Sequence, residues 1–158
     1  MTSKPVENVW DYPRPPSIEP SDEHLVVTFG GVVIADTTTS YRICETSHPP
    51  TYYLPISSFA DGVLQPIDGT TVCEWKGAAA YFDVVTEART IRAGAWTYPT
   101  PNARFADLVD HLAIYPGKVD ECTIDGEVVQ AQEGDFYGGW ITSRVSGPFK
   151  GAPGTMGW

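Results

Sequence analysis

His24-Leu25-Val26-Val27-Thr28-Phe29-Gly30-Gly31-Val32-Val33-Ile34-Ala35-Asp36 decides the fold class. Val and Ile are enriched on both sides of the glycine pair, and such residues favour extended backbone. Gly30 and Gly31 supply the positive φ angles that a two-residue hairpin turn demands. Residues 24–36 therefore read as a β-hairpin. A second hairpin is predicted over residues 119–131, with Asp125-Gly126 as its turn.

Working outward, residues 41–45 form a short predicted strand. Tyr41, Ile43 and Glu45 share one face, with Arg42 and Cys44 on the other. His48-Pro49-Pro50 breaks it, and residues 51–54 read as the next strand. Residues 57–64 suggest a helical turn shortened by Gly62. Residues 70–75 and 78–85 read as strands flanking Lys76-Gly77, followed by a weaker strand at 90–98 interrupted by Gly94. Residues 105–112 suggest a short helix, and 112–115 are strand-like. Short strands punctuated by turn signals predict a mainly β protein, a compact single domain of short antiparallel strands. Three segments are expected within it. Residues 1–23 are an extended, proline-rich arm, 24–135 the β domain, and 136–158 a Gly/Pro/aromatic tail packed on that domain.

The 158 residues suit one domain, and the formal net charge of −10 would repel DNA, RNA and anionic lipid. Nucleic acid and membrane surfaces are therefore not expected as partners; a small-molecule ligand or a second copy of the chain stays open. Cys44, Cys73 and Cys122 are odd in number and contain no Cys-x-x-Cys pair, a poor framework for disulfides or structural zinc. The first residues show no apolar run resembling a signal peptide, and no stretch approaches the roughly 18 apolar residues of a membrane span. A cytoplasmic location with reduced thiols is the expectation.

The segments Phe29-Gly30-Gly31-Val32-Val33-Ile34-Ala35-Asp36, Glu45-Thr46, Tyr53-Leu54-Pro55, Cys73-Glu74-Trp75-Lys76-Gly77-Ala78-Ala79-Ala80-Tyr81 and Ala95-Trp96-Thr97-Tyr98-Pro99 go together, as do Leu112-Ala113-Ile114-Tyr115 and Asp125-Gly126-Glu127. Over about residues 24–131 their combination resembles the bacterial family catalogued as domain of unknown function family 427, which also carries a nucleotidyltransferase-like label. The resemblance implies no established reaction. It implies a small β structure related to the Mss4-like, or β-tent, group. Many members of that group hold zinc through two Cys-x-x-Cys pairs; this chain has neither, so the expectation is that fold without the zinc site.

Cys73-Glu74-Trp75-Lys76-Gly77 concentrates chemistry in a chain with only four lysines. Lys76 follows a strand and precedes a glycine, where backbone can approach a ligand. Its amine suits an anionic group, or, if desolvated, acid/base chemistry. A structural ion pair is the plainer alternative. Glu45, at a strand end, reads either as a solvated carboxylate or as a partner of Lys76 acting as general base. Cys73 is first of all a core thiol, sharing a strand face with Trp75. Tyr53, Cys73, Trp75, Tyr81, Trp96, Tyr98 and Trp140 are the candidate ligand contacts, with Tyr115 and Tyr137 of the same character. Each aromatic taken singly is equally a core residue. Gly147-Pro148-Phe149-Lys150-Gly151 lacks the order of a phosphate loop, and no motif fixes a metal or cofactor.

Three functions follow. The first is binding of a small anionic or polar ligand in an aromatic cleft near Lys76, with the tail as a lid. The second is an enzyme with Lys76 and Glu45 as acid/base pair. The third is a protein-interaction or self-association module using the tail.

Overall fold

The structure is a computed structural model that describes residues 5–73, 76–133, 138–151 and 154–155; the side chains of 70–73 lie outside that description. Its strands are β1 (Glu7–Asn8), β2 (Ser17–Ser21), β3 (Leu25–Phe29), β4 (Val32–Thr37), β5 (Ser40–Cys44), β6 (Thr51–Pro55), β7 (Leu64–Cys73) and β8 (Gly77–Val85). They continue as β9 (Thr90–Thr97), β10 (His111–Ile114), β11 (Glu121–Ile124), β12 (Glu127–Val128), β13 (Gln130–Ala131), β14 (Trp140–Ile141) and β15 (Val145–Ser146).

Both expected hairpin turns are present. Gly30 and Gly31 take φ of 62° and 79°, and Asp125 and Gly126 take 50° and 85°. Positive φ at both central positions matches the twist of the flanking strands. The two hairpins join in a four-stranded sheet ordered β12-β11-β3-β4. A seven-stranded antiparallel sheet runs β2-β5-β6-β10-β9-β8-β7. Pro20 and Pro66 lie on its two edge strands, the places in a sheet that tolerate proline. The protein is mainly β, one compact domain of antiparallel sheets without a barrel; the short β1–β15 pair is parallel.

Strand alternation divides the interior in two. Tyr52 and Leu54 of β6, with Leu112 and Ile114 of β10, join Leu25, Val27 and Phe29 of the small sheet in one core. The residues between them, Tyr53 and Ala113, point to the opposite face and build a second cluster with Ile43, Tyr98, Phe105 and Leu108. The predicted helix at 105–112 is a 3-10 segment, Ala103–Leu108. It is two short turns meeting at a kink at Phe105, where φ is −113° and ψ 24°, and Phe105 and Leu108 both enter the second cluster. The turn expected at 57–64 is the single 3-10 turn Ile56–Ser58.

Within the stretch expected as an arm, β2 pairs with all of β5 as a sheet edge. The tail contributes β14, paired with β13, and β15, paired with β1. Among the described residues no helix is long and apolar enough to cross a membrane.

Candidate functional site

The second face of the large sheet carries a row of rings. Ala113 pairs with Trp96, and Trp96 with Tyr81, while Tyr53 stands on neighbouring β6. Ala113 has almost no side chain, so the rings on either side meet over it. Tyr53 and Trp96 lie edge to face at 6.4 Å, and the Trp96 indole N–H donates to the Tyr53 hydroxyl at 3.2 Å. Tyr98 is 6.2 Å from Tyr53, and Tyr115 packs on Trp96 at 4.5 Å.

Lys76 enters from the β7–β8 turn. Gly77 follows with φ 114°, and a Cβ there would sit 3.3 Å from the Thr100 carbonyl oxygen. The φ angle calls for glycine, and a side chain there would also crowd the Thr100 carbonyl. The Asn102 N–H donates to the Lys76 carbonyl at 2.9 Å and pins that turn. The Lys76 amine then stands 5.9 Å from the Tyr98 ring centre, within reach of a cation–π attraction.

Glu45 and His48 come from the β5–β6 connection. The His48 N–H donates to the Glu45 carbonyl at 3.0 Å, closing a turn in which Ser47 takes φ 70°. The tail reaches this turn through the Lys150 N–H, which donates to the Ser47 carbonyl at 2.8 Å. Together these segments enclose a cavity of about 250 Å³, walled by the aromatic row, Lys76, Glu45, His48, Gln132 and Gly138.

Its electrostatics centre on His48. Burial pushes the imidazole pKa below its ordinary value; Glu45 opposes that, while Lys150, Arg14 and Lys76 reinforce it. Three cations thus act on this one ring in a protein of net charge −10. Glu45 is engaged by Arg14 at 3.4 Å. Burial, with Tyr81 adding to it, also raises the Tyr115 phenol, which stays a neutral donor.

Of the candidates read from sequence, Glu45, Tyr53, Lys76, Tyr81, Trp96 and Tyr98 line this cavity together. Trp140 does not. It is 1% exposed in the first core, its ring 5.2 Å from Tyr52, because β14 delivers it to the opposite side. The Cys73 side chain, Trp75 and Tyr137 lie outside the described residues. Sequence reading misses His48, which reads only as part of a strand breaker, and Gln132. Nothing local marks either; they meet across 84 positions.

Two larger hollows exist, of about 640 and 600 Å³. The first borders Arg42 and Arg144, but carboxylates already match both guanidinium groups, with Arg42 2.6 Å from Glu7 and Arg144 2.8 Å from Glu23. The smaller cavity is the better site because it gathers most of the residues singled out from the sequence, and its carboxylate, Glu45, is paired with Arg14 outside the wall while Lys76 stands inside it. Among the described residues no group of three or more His, Cys, Asp or Glu side chains is placed to hold a metal.

A search of curated proteins finds no match. A family model labelled NTP_transf_9 matches residues 17–125, well over half the chain, and takes in every cavity residue named above except Gln132 and Gly138. The chain belongs to the family described as Domain of unknown function (DUF427).

Proposed function

We propose that this protein binds a small anionic molecule in the aromatic cavity, with Lys76 as the charge that holds it. The observation that carries the reading is Lys76 in the wall of an aromatic cavity whose remaining carboxylate, Glu45, is engaged by Arg14. Ligand sites are mostly apolar, with a few placed polar groups that fix orientation. This cavity is more polar than that: Lys76, His48, Thr51 and Glu45 stand in its wall, while Tyr53 and Tyr98 are almost fully buried behind it. The excess of cations around His48 gives an otherwise acidic molecule a local field that attracts anions. Gly138 and Lys150 bring the tail to the edge of the site, in keeping with a cover over the ligand.

Native mass spectrometry of freshly purified protein beside Lys76→Met tests this. Methionine keeps the length of the side chain and removes its charge. The expected result is an added mass in the parent protein, or one acquired from a panel of small organic acids, that the variant lacks. Equal uptake by both proteins would overturn the role given to Lys76.

A further inference from the structure

The hollow of about 640 Å³ lies where β2 ends and β5 begins, walled by Glu19, Pro20, Tyr41 and His111 together with Arg42 and Arg144. Its arginines are already engaged. Glu7 and Glu19 meet Arg42 at 2.6 and 2.8 Å, and Glu23 meets Arg144 at 2.8 Å. Nη1 of Arg42 and Nε of Arg144 make no hydrogen bond, but both atoms are buried beneath the surface, out of reach of a molecule in the hollow. Two acceptors remain at the surface. The first is on His111. Its Nδ1 lies 2.8 Å from the Val109 carbonyl oxygen, which can only accept, so the neutral ring carries its hydrogen on Nδ1 and presents a bare Nε2. Tyr41 packs edge to face against that ring at 5.1 Å and holds its plane. The second is on Glu19. Its Oε1 faces Arg42 Nε, and the side chain is 47% exposed, which leaves Oε2 to solvent. Glu19 is also the second carboxylate on a guanidinium that Glu7 already meets, so its charge is only partly matched.

We propose that this hollow binds a small organic ammonium ion, with Glu19 supplying the opposite charge and His111 Nε2 accepting an ammonium N–H. Pro20 and Tyr41, paired across β2 and β5, offer an apolar wall for the alkyl body. Size allows it: about 640 Å³ is on the order of twenty water volumes, room for a chain of several carbons. Charge selects it. The net charge of −10 draws cations toward the molecule, and each guanidinium of this wall already has its carboxylate, so an incoming anion gains little here. A ligand that brings N–H donors satisfies groups that a ligand bringing only acceptors leaves unmet. The preference is opposite in sign to that of the aromatic cavity, and the two sites stand independently.

The test is long-range proton–nitrogen correlation NMR on the full, nitrogen-15-labelled chain at pH 8 and low ionic strength. It is titrated with n-butylammonium and, separately, with tetramethylammonium, which carries the charge without an N–H. The expected result is a His111 ring with protonated Nδ1 and bare Nε2, an Nε2 signal that moves saturably with n-butylammonium, and about tenfold weaker binding of tetramethylammonium. Glu19→Gln keeps an oxygen for Arg42, removes the charge and should weaken n-butylammonium binding about tenfold. His111→Phe keeps a ring beside Tyr41 without the acceptor and should do the same. Where a variant does not fold, the parent titration and the comparison of the two ions still decide. Equal binding of both ions, or a parent ring with its hydrogen on Nε2, would overturn the role of His111. A spectrum that neither ion moves, or binding that survives both substitutions, would overturn the site itself. None of these outcomes touches the anion-binding reading of the aromatic cavity, which the Lys76→Met comparison tests separately.

Discussion

Gly138 sits where a side chain would strike the site. A Cβ there would lie 2.4 Å from Cη2 of Trp96, and the ring has Tyr115 on its flank and a hydrogen bond to Tyr53. Gly138→Ala should therefore cost about 1–3 kcal/mol through overpacking and shift the Trp96 ring. Urea unfolding followed by near-ultraviolet circular dichroism reads both, and an unchanged midpoint would mean that the tail yields instead. The His48 imidazole carries a second prediction. Its folded pKa lies below the ordinary 6.5, so the unfolded chain binds the proton more readily. The stability it contributes is full above pH 6.5 and is lost as pH falls below that toward the folded value. His48→Gln should flatten the decline of stability over that window, whereas a parallel curve would place its cause elsewhere. Neither role is legible locally. His48 beside two prolines reads as a chain breaker, and its chemistry is conferred by Gln132 and by cations from distant segments.

At the scale of elements the sequence speaks more clearly. Gly-Gly and Asp-Gly between β-branched runs specify two hairpins, because few residues tolerate the required φ. The alternation read for β5 also holds, with Ile43 in the second cluster and Arg42 and Cys44 on the other face. What alternation cannot say is that both faces are buried, since the residues covering Arg42 arrive from positions 7 and 19. The β3–β4 turn permits a controlled comparison. Gly31 takes φ 79°, and a Cβ there would have nothing within 4 Å, so Gly31→Ala meets backbone strain alone, about 1–2 kcal/mol. Gly30 takes φ 62°, and its Cβ would lie 2.2 Å from Thr86 Oγ1, which also accepts from the Arg89 N–H at 3.2 Å. Gly30→Ala should add about 1 kcal/mol or more to the same strain. Equal losses in chemical denaturation would show that Thr86 moves aside without cost.

The two ends of the chain are joined by a polar network that no local pattern announces. Glu7 lies beside both Arg42 at 2.6 Å and Arg144 at 3.6 Å, where β1 runs along β15. Burial works to raise the Glu7 pKa, but the Arg42 and Tyr12 hydrogen bonds and the fields of both arginines prevail and lower it. Its stabilisation is therefore present above the ordinary carboxylate value of 4.5 and lost as pH falls through the lower folded one. Arg42 is the more buried arginine at 1% exposure, so depth alone would make it the more costly to remove. The partners left behind argue the reverse. Without Arg42, Glu7 and Glu19 are still 30% and 47% exposed and can be hydrated, and the loss also disposes of a guanidinium whose buried Nη1 makes no hydrogen bond. Without Arg144, Glu23 loses a 2.8 Å ion pair at 3% exposure, where the Tyr52 and Ser21 hydroxyls also donate to it at 2.8 and 2.7 Å. Breaking a buried pair by removing one partner costs about 3–5 kcal/mol, whereas an exposed pair is worth about 1 kcal/mol or less. Arg144→Met should therefore lower the unfolding free energy by the larger figure and Arg42→Met by less than half of it, measured in urea at neutral pH. Protonating carboxylates removes the charge that Arg144 pairs with, so the Arg144→Met deficit should shrink as the pH is taken into the acid range. A deficit that stays constant with pH would mean that Arg144 acts through packing of its stem, and that the clasp between the chain ends is apolar rather than ionic.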